Sequence, residues 1–298
     1  MDPDASDKLA KAGRAGADAL RLGVGLMKDG VRLLDVAEAV EKRIKELRAE
    51  PAFPACICIN EVAAHYSPTH DDPLVLRRGQ VVKLDIGAHV DGYVADTAKT
   101  VEIGTNKWTD LVRASEVALE AAIEVVRPNV PTRMIGAAVE REIESYGFRP
   151  VVNLTGHTIE RYLLHAGKSV PNVGDRTSDI LAKDDVVAIE PFSSAGAGKV
   201  EGRKPANIYR LLRFKEIKHE AANEMLKFIT DSFKGLPFSE RWCHRFDERA
   251  PAMLKKLQRT GLVMSYKQLC DSGGGMVAQT EHTMIVTPEG ARVTTLWA

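Results

Sequence analysis

Five side chains break or close apolar stretches: Asp85 in KLDIG, Asp96 in VADTA, His157 in LTGHT, Glu190 in AIEPF and Glu281 in QTEHT. A carboxylate set among Leu, Ile or Val in a buried strand is costly unless it is paired, hydrogen-bonded or bound to a metal. Asp85 alone would fit a turn or an ion pair as readily as a ligand role. The five together, beside glycines or at strand ends, point to a shared cation site. Four carboxylates hold more negative charge than one divalent ion balances in a small site. Two divalent ions bridged by carboxylates and a hydroxide balance it, at a separation of roughly 3.5–4 Å, and such a pair generates a nucleophile near neutral pH. Oxygen donors with one imidazole suit Mn, Fe or Co, and Zn less specifically; a thiolate-rich zinc site is not indicated.

The elements that must position these groups follow from periodicity. Residues 8–28 and 33–48 are rich in Ala, Leu, Lys and Glu, and Leu33, Val36, Ala37, Val40 and Ile44 recur at helical spacing. Residues 53–60 and 81–87 read as strands, and Asp91-Gly92 is a hairpin turn leading to a second strand through Asp96. Helices are expected over 108–126 and 132–146, with Pro128 and Pro131 between them, and an apolar strand over 186–192 around Glu190. From Phe214 the pattern turns helical, and residues 276–297 return to strands. The reading is an α+β chain interrupted late by a helical segment. Its two helix pairs, each bordering a strand group, fit a pseudo-symmetric domain.

The order Asp, Asp eleven residues later, His, Glu, Glu resembles that of the pita-bread metallopeptidases, which include the methionine aminopeptidases and the prolidase and aminopeptidase P group. The strings AAHYSP, LDIGAHVDGYVADTA, GHTIERYLLHAGKSVP, IEPF and AQTEHT are similar to those of type II methionine aminopeptidases, in order and over nearly the whole chain. The resemblance implies a pita-bread α+β fold over 1–205 and 267–298, with a helical, winged-helix-like type II insert at 206–266. It implies removal of the initiator methionine from nascent proteins when the second residue is small, by hydrolysis assisted by two divalent ions (Co, Mn, Fe or Zn). No long lysine-rich N-terminal extension precedes the helices, so the short archaeal form is expected.

The resemblance also implies roles. Asp85 would chelate one ion, Asp96 and Glu281 would bridge both, and His157 and Glu190 would hold the other, with Glu190 also shuttling a proton. His65 would contact the scissile amide region and His165 the substrate carbonyl. Phe53, Phe192, Tyr266 and Leu269 stand where type II enzymes place their methionine pocket. Around Asn207 and Ile208 the pocket histidine of eukaryotic relatives is missing, and Thr280 stands where many relatives have an aromatic residue. His70, His89 and His219 have no such support and read as surface residues. His282 should face away from Glu281, because neighbours in a strand point to opposite sides.

Composition narrows the remaining classes. The 298 residues carry 41 Lys and Arg against 41 Asp and Glu, which argues against wholesale nucleic-acid binding. The charge is uneven: residues 199–259 hold 15 Lys or Arg against 8 Asp or Glu. This basic stretch reads first as a solvated helical face and second as a weak ribosome contact. No apolar run approaches the ~18 residues of a membrane helix, and the polar start lacks a signal core, so a cytoplasmic protein is expected; the resemblance implies a monomeric enzyme acting on peptide N-termini. The four cysteines follow no zinc-finger spacing, and Cys56 and Cys58 read as buried free thiols. The Ala166-Gly167-Lys168-Ser169 string is no phosphate loop, because Tyr162 occupies the place of its first glycine. A prolidase-like Xaa-Pro peptidase remains the alternative activity. A binding protein that kept the fold and lost catalysis is the reading from another class, and all five ligands argue against it.

Overall fold

The computed structural model describes residues 1–174 and 179–296. Helices α1 (Pro3–Leu26) and α2 (Leu33–Glu46) open the chain. The first starts five residues earlier than periodicity suggests, because Pro3 in its first turn loses no helical hydrogen bond there. Strands β1 (Glu50–Ile59), β2 (Val62–Ala64), β3 (Val81–Val90) and β4 (Tyr93–Glu102) follow, then α3 (Thr109–Val125) and α4 (Thr132–Ser145). Next come β5 (Arg149–Pro150), β6 (Thr155–Ile159), β7 (Ser169–Pro171), β8 (Val186–Ile189), β9 (Phe192–Ser194) and β10 (Val200–Leu211). After α5 (Glu220–Phe233), β11 (Phe238–Ser239), α6 (Glu240–Phe246) and α7 (Ala250–Arg259), the chain closes with β12 (Val263–Asp271), β13 (Val277–Gln279), β14 (Glu281–Thr287) and β15 (Gly290–Val293). Of the last expected strand region, Trp297 lies outside the described residues. Among the described residues, no helix is long and apolar enough to cross a membrane.

One antiparallel sheet runs β1-β3-β4-β14-β8-β6-β7, with β15 also paired to β14. Each helix pair covers its own half. Leu20, Val36, Val40 and Ile44 of α1 and α2 pack on Ile57, Leu84 and Ile86 of β1 and β3. Leu119, Ile135, Val139 and Ile143 of α3 and α4 pack on Val187, Ile189 and Met284 of β8 and β14. The two halves meet where β4 pairs with β14. The result is the α+β architecture, with one helix pair on each half, that the sequence suggests.

The late segment has its own core: Met225, Leu226, Ile229, Leu254 and Leu257 of α5 and α7 close over Phe238, Cys243 and Val263. Its helix α5 begins at Glu220, later than the helical pattern starting at Phe214, because His219 takes an extended conformation and its Nδ1 accepts from Ala222 N to cap the helix. The segment is tied to the body by two long strands, β10 and β12, which pair with each other, and β12 pairs in turn with β2. Positions 206 and 266 therefore fall inside paired strands.

Candidate metal centre

Strand register assembles the acidic residues. Asp91 and Gly92, both at positive φ (53° and 83°), form the tight turn between β3 and β4. With that turn fixed, Asp85 faces Ala98, and Gly87 faces Asp96. Asp96 and Ala98 share a face, since they are two apart in one strand. A spacing of eleven positions between the two aspartates thus puts them diagonally across the hairpin on one side. On the next strand, Glu281 also faces Ala98, so small Ala98 is flanked by Asp85 and Glu281. His157 of β6 faces Ala188 of β8, and Glu190 lies two residues beyond Ala188, at the end of that strand. All five groups reach the same face.

Backbone contacts hold the seam closed beneath them. Asp96 N donates to Thr283 Oγ1 at 2.7 Å, that hydroxyl donates to the Asp96 carbonyl at 2.9 Å, and Thr97 Oγ1 donates to the Glu281 carbonyl at 3.0 Å. His282 does face away from Glu281: its Nδ1 lies 2.9 Å from Thr295 Oγ1.

Ligand atoms of Asp96, His157 and Glu281 lie within 4.8 Å of one another. His157 Nε2 is 3.8 Å from both Asp96 Oδ2 and Glu190 Oε1. Asp85 Oδ1, Asp96 Oδ1 and Glu281 Oε1 are buried with no hydrogen-bond partner among the described residues. Burial raises the Asp85 carboxyl to about 7. Burial, and then repulsion from the neighbouring carboxylates, pushes Asp96 and Glu281 well above the usual carboxylate range; burial and then Asp85 do the same to Glu190. Burial also lowers His157 to about 3, so its imidazole is neutral at physiological pH and ready to donate a lone pair. Buried carboxylates that repel one another need neutralising charge. The donor set, with three oxygens unpartnered, fits divalent cations.

A cavity of about 240 Å³ opens beside these groups. Phe53, Phe192 and Tyr266 line it, together with His65 and His165. Gly87 makes room for the Phe53 ring, which a β-carbon there would strike. Leu269 is not among the lining residues; it packs with Phe192 and Val200 in an adjoining core. Ile208, Leu164, Cys56 and Pro237 line the cavity as well, and only Ile208 stands in a region that the sequence marks as pocket wall. His65 sits at φ 71°, and its ring meets Tyr266 edge-on at 5.3 Å. The His165 ring lies 4.3 Å from that of His157.

The three histidines read as surface residues each have a structural partner. His89 is partly buried, with its ring 5.7 Å from that of Tyr162 and its Nδ1 accepting from Gly92 N at 3.1 Å. His70 reaches Glu240 at 3.0 Å and stacks on His244, and His219 caps α5. All four cysteines are buried free thiols, which was expected of Cys56 and Cys58.

Residues 7–288 match the model of metallopeptidase family M24, and the chain belongs to that family. It is 46% identical over 295 residues to the methionine aminopeptidase of Thermococcus onnurineus, covering 98% of this chain and all of that one. The methionine aminopeptidase of Archaeoglobus fulgidus is likewise 46% identical, over 99% of this chain and its own full length. Among solved structures, the Thermotoga maritima methionine aminopeptidase superposes with a TM-score of 0.72 at 25% identity, over 99% of this chain and 98% of that one.

Proposed function

We propose that this metallopeptidase removes the N-terminal methionine from peptides and nascent proteins whose second residue is small. The observation that carries the reading is the junction of two unlike surfaces. A floor of carboxylates with unpartnered oxygens adjoins a cavity lined by Phe53, Phe192 and Tyr266. An unbranched thioether suits such an irregular apolar space, while the substrate's ammonium is drawn to the acidic floor.

Asp85, Asp96, His157, Glu190 and Glu281 would hold two divalent ions. When bound, these supply Lewis acidity and activate a water for attack. Glu190 accepts the water proton as the oxygen adds to the scissile carbonyl carbon. It returns that proton to the departing nitrogen as the C–N bond breaks. His165 orients the substrate carbonyl, and His65 the amide region of the second residue. Those two imidazoles form the wall that keeps the second side chain small. Leu269 would support the pocket through Phe192 rather than touch substrate.

The type II archaeal form is supported by the helical segment between Glu190 and Glu281, with its separate core. The cavity also takes Ile208 and Pro237 from that segment. Relatives that this chain matches end to end favour the methionine reading over the Xaa-Pro one. Hydrolysis of a Met-Ala-Ser peptide against an Ala-Pro-Ser peptide, with defined metals added, tests it. Faster cleavage of Ala-Pro-Ser would transfer the assignment to a prolidase-like activity.

The basic stretch supports ribosome docking less than its charge suggests. Arg241 and Arg245 are already paired with Glu41 and Glu38 of α2. Co-sedimentation with ribosomes across a salt series decides between docking and a solvated face; docking predicts binding that weakens as salt rises.

A further inference from the structure

Gln279 lies in the middle of the carboxylate cluster, and none of the roles above uses it. It is the last residue of β13, two before Glu281, and is 1% exposed. Its Nε2 is 3.3 Å from Asp85 Oδ2, 3.3 Å from Glu190 Oε2 and 3.4 Å from Glu281 Oε2. These acceptors come from three different places in the sheet: β3, the end of β8 and β14. The backbone around Gln279 is pinned on both sides. Its N–H donates to Thr100 Oγ1 at 2.8 Å, and that hydroxyl donates back to the Gln279 carbonyl at 2.7 Å.

The carboxylate oxygens divide into two sets. The Oδ2 and Oε2 atoms of Asp85 and Glu281 face the amide, while their Oδ1 and Oε1 atoms have no partner. We propose that Gln279 is the positioning residue of the metal centre: the two N–H groups of its amide, shared among Asp85, Glu190 and Glu281, gather these carboxylates by one oxygen each and leave the opposite oxygens of Asp85 and Glu281 free for cations. This rests on the two-ion reading of the site.

The chemistry favours an amide at this point. It supplies two N–H donors without a positive charge, so it steadies anions without repelling incoming cations. A lysine would compete with the ions, and a carboxylate would add a fifth negative charge. Partners of this kind, one step removed from the metal, typically contribute 10–100-fold to metal affinity.

The test is Mn²⁺ titration by calorimetry on the metal-free full-length protein, comparing wild type with Gln279→Met, which keeps the length of the side chain and removes the donors. Circular dichroism verifies that each variant is folded. The expected result is Mn²⁺ affinity weaker by about 10–100-fold in Gln279→Met. Gln279→Glu keeps the shape most closely and serves if the methionine variant misfolds; it is expected to change Mn²⁺ affinity by at least about tenfold. Unchanged affinity in a folded variant overturns the proposal. Failure of the wild type itself to bind Mn²⁺ would instead overturn the metal reading on which it rests.

Discussion

Arg241 of α6 donates from Nη1 to Glu41 Oε2 of α2 at 3.0 Å, and its Nη2 meets the other oxygen of the same carboxylate. Both residues are buried, at 1% and 5% exposure. Glu41 also accepts from Trp242 Nε1 at 2.8 Å and from Ala55 N at 3.1 Å. One carboxylate thus joins the helical segment, the first helix pair and the strand that carries Phe53. Removing one partner of a buried pair strands the other charge, at a cost of about 3–5 kcal/mol. Glu41→Ala should therefore lower unfolding free energy by about that amount in urea denaturation. A loss below ~1 kcal/mol would show that the clamp is energetically neutral.

The bridging assignments make a sharper claim on chemistry. Asp96→Asn and Glu281→Gln should each nearly abolish turnover, since a neutral amide cannot balance two adjacent cations. Metal analysis should show fewer than two ions per chain in either variant. Near wild-type activity with one ion per chain would contradict the two-ion site.

His65 and His165 line the cavity beside the residues proposed to hold the ions. Losing one oriented donor in such a site typically lowers rate by ~10²–10³. His65→Ala and His165→Ala should show that fall in kcat with metal content unchanged. Should either variant lose its ions, that histidine is a ligand or a structural support instead.

Asn207 lies next to the cavity at φ 62°, and its Nδ2 donates to the Ser67 carbonyl at 3.0 Å. It thereby holds the loop two residues beyond His65. Asparagine and glycine accept this left-handed conformation, whereas a β-branched side chain is strained there by about 1–3 kcal/mol. Asn207→Val should lose stability on that order and also lower kcat. Asn207→Gly should keep most of the stability while loosening His65, so that activity falls more than the melting temperature does. Equal melting temperatures for the two variants would remove the strain argument.

Burial, and then the charge of Lys234, lowers His89 to about 4 from its ordinary 6.5. Asp91 pulls in the opposite direction, and Gly92 N occupies Nδ1. Between pH 6.5 and 4 the unfolded chain binds a proton at this histidine that the native protein does not. Its contribution to stability is therefore complete above about pH 6.5, declines as pH falls through that window and levels off near 4. His89→Asn, which retains an acceptor for Gly92, should flatten the pH dependence of the urea midpoint over this range. A slope identical to wild type would show that His89 titrates normally.

The sequence by itself determined the local geometry of the two aspartates, Asp85 and Asp96. An Asp-Gly turn with alternating strands on either side fixes the register of β3 and β4, and that register places Asp85 and Asp96 on one face. It also determined the helix pairs, through their apolar spacing, and the burial of Cys56 and Cys58. His157, Glu190 and Glu281 stood out through their motifs, but not their meeting point. That depends on the strand order β4-β14-β8-β6, which joins elements far apart in the chain. Gln279 was missed because a glutamine in a strand gives no apolar break to notice. Its spacing of two from Glu281 was the available signal, since it places both side chains on one face. The pocket divided in the same way: Phe53, Phe192 and Tyr266 line the cavity, while Leu269 packs one layer behind and Ile208, Leu164 and Pro237 complete the wall. Register and turn geometry are properties of neighbouring residues and can be read along the chain. Which distant strands become neighbours, and which of two apolar side chains faces a cavity rather than a core, is decided only when the whole sheet closes and every buried surface competes for the same space.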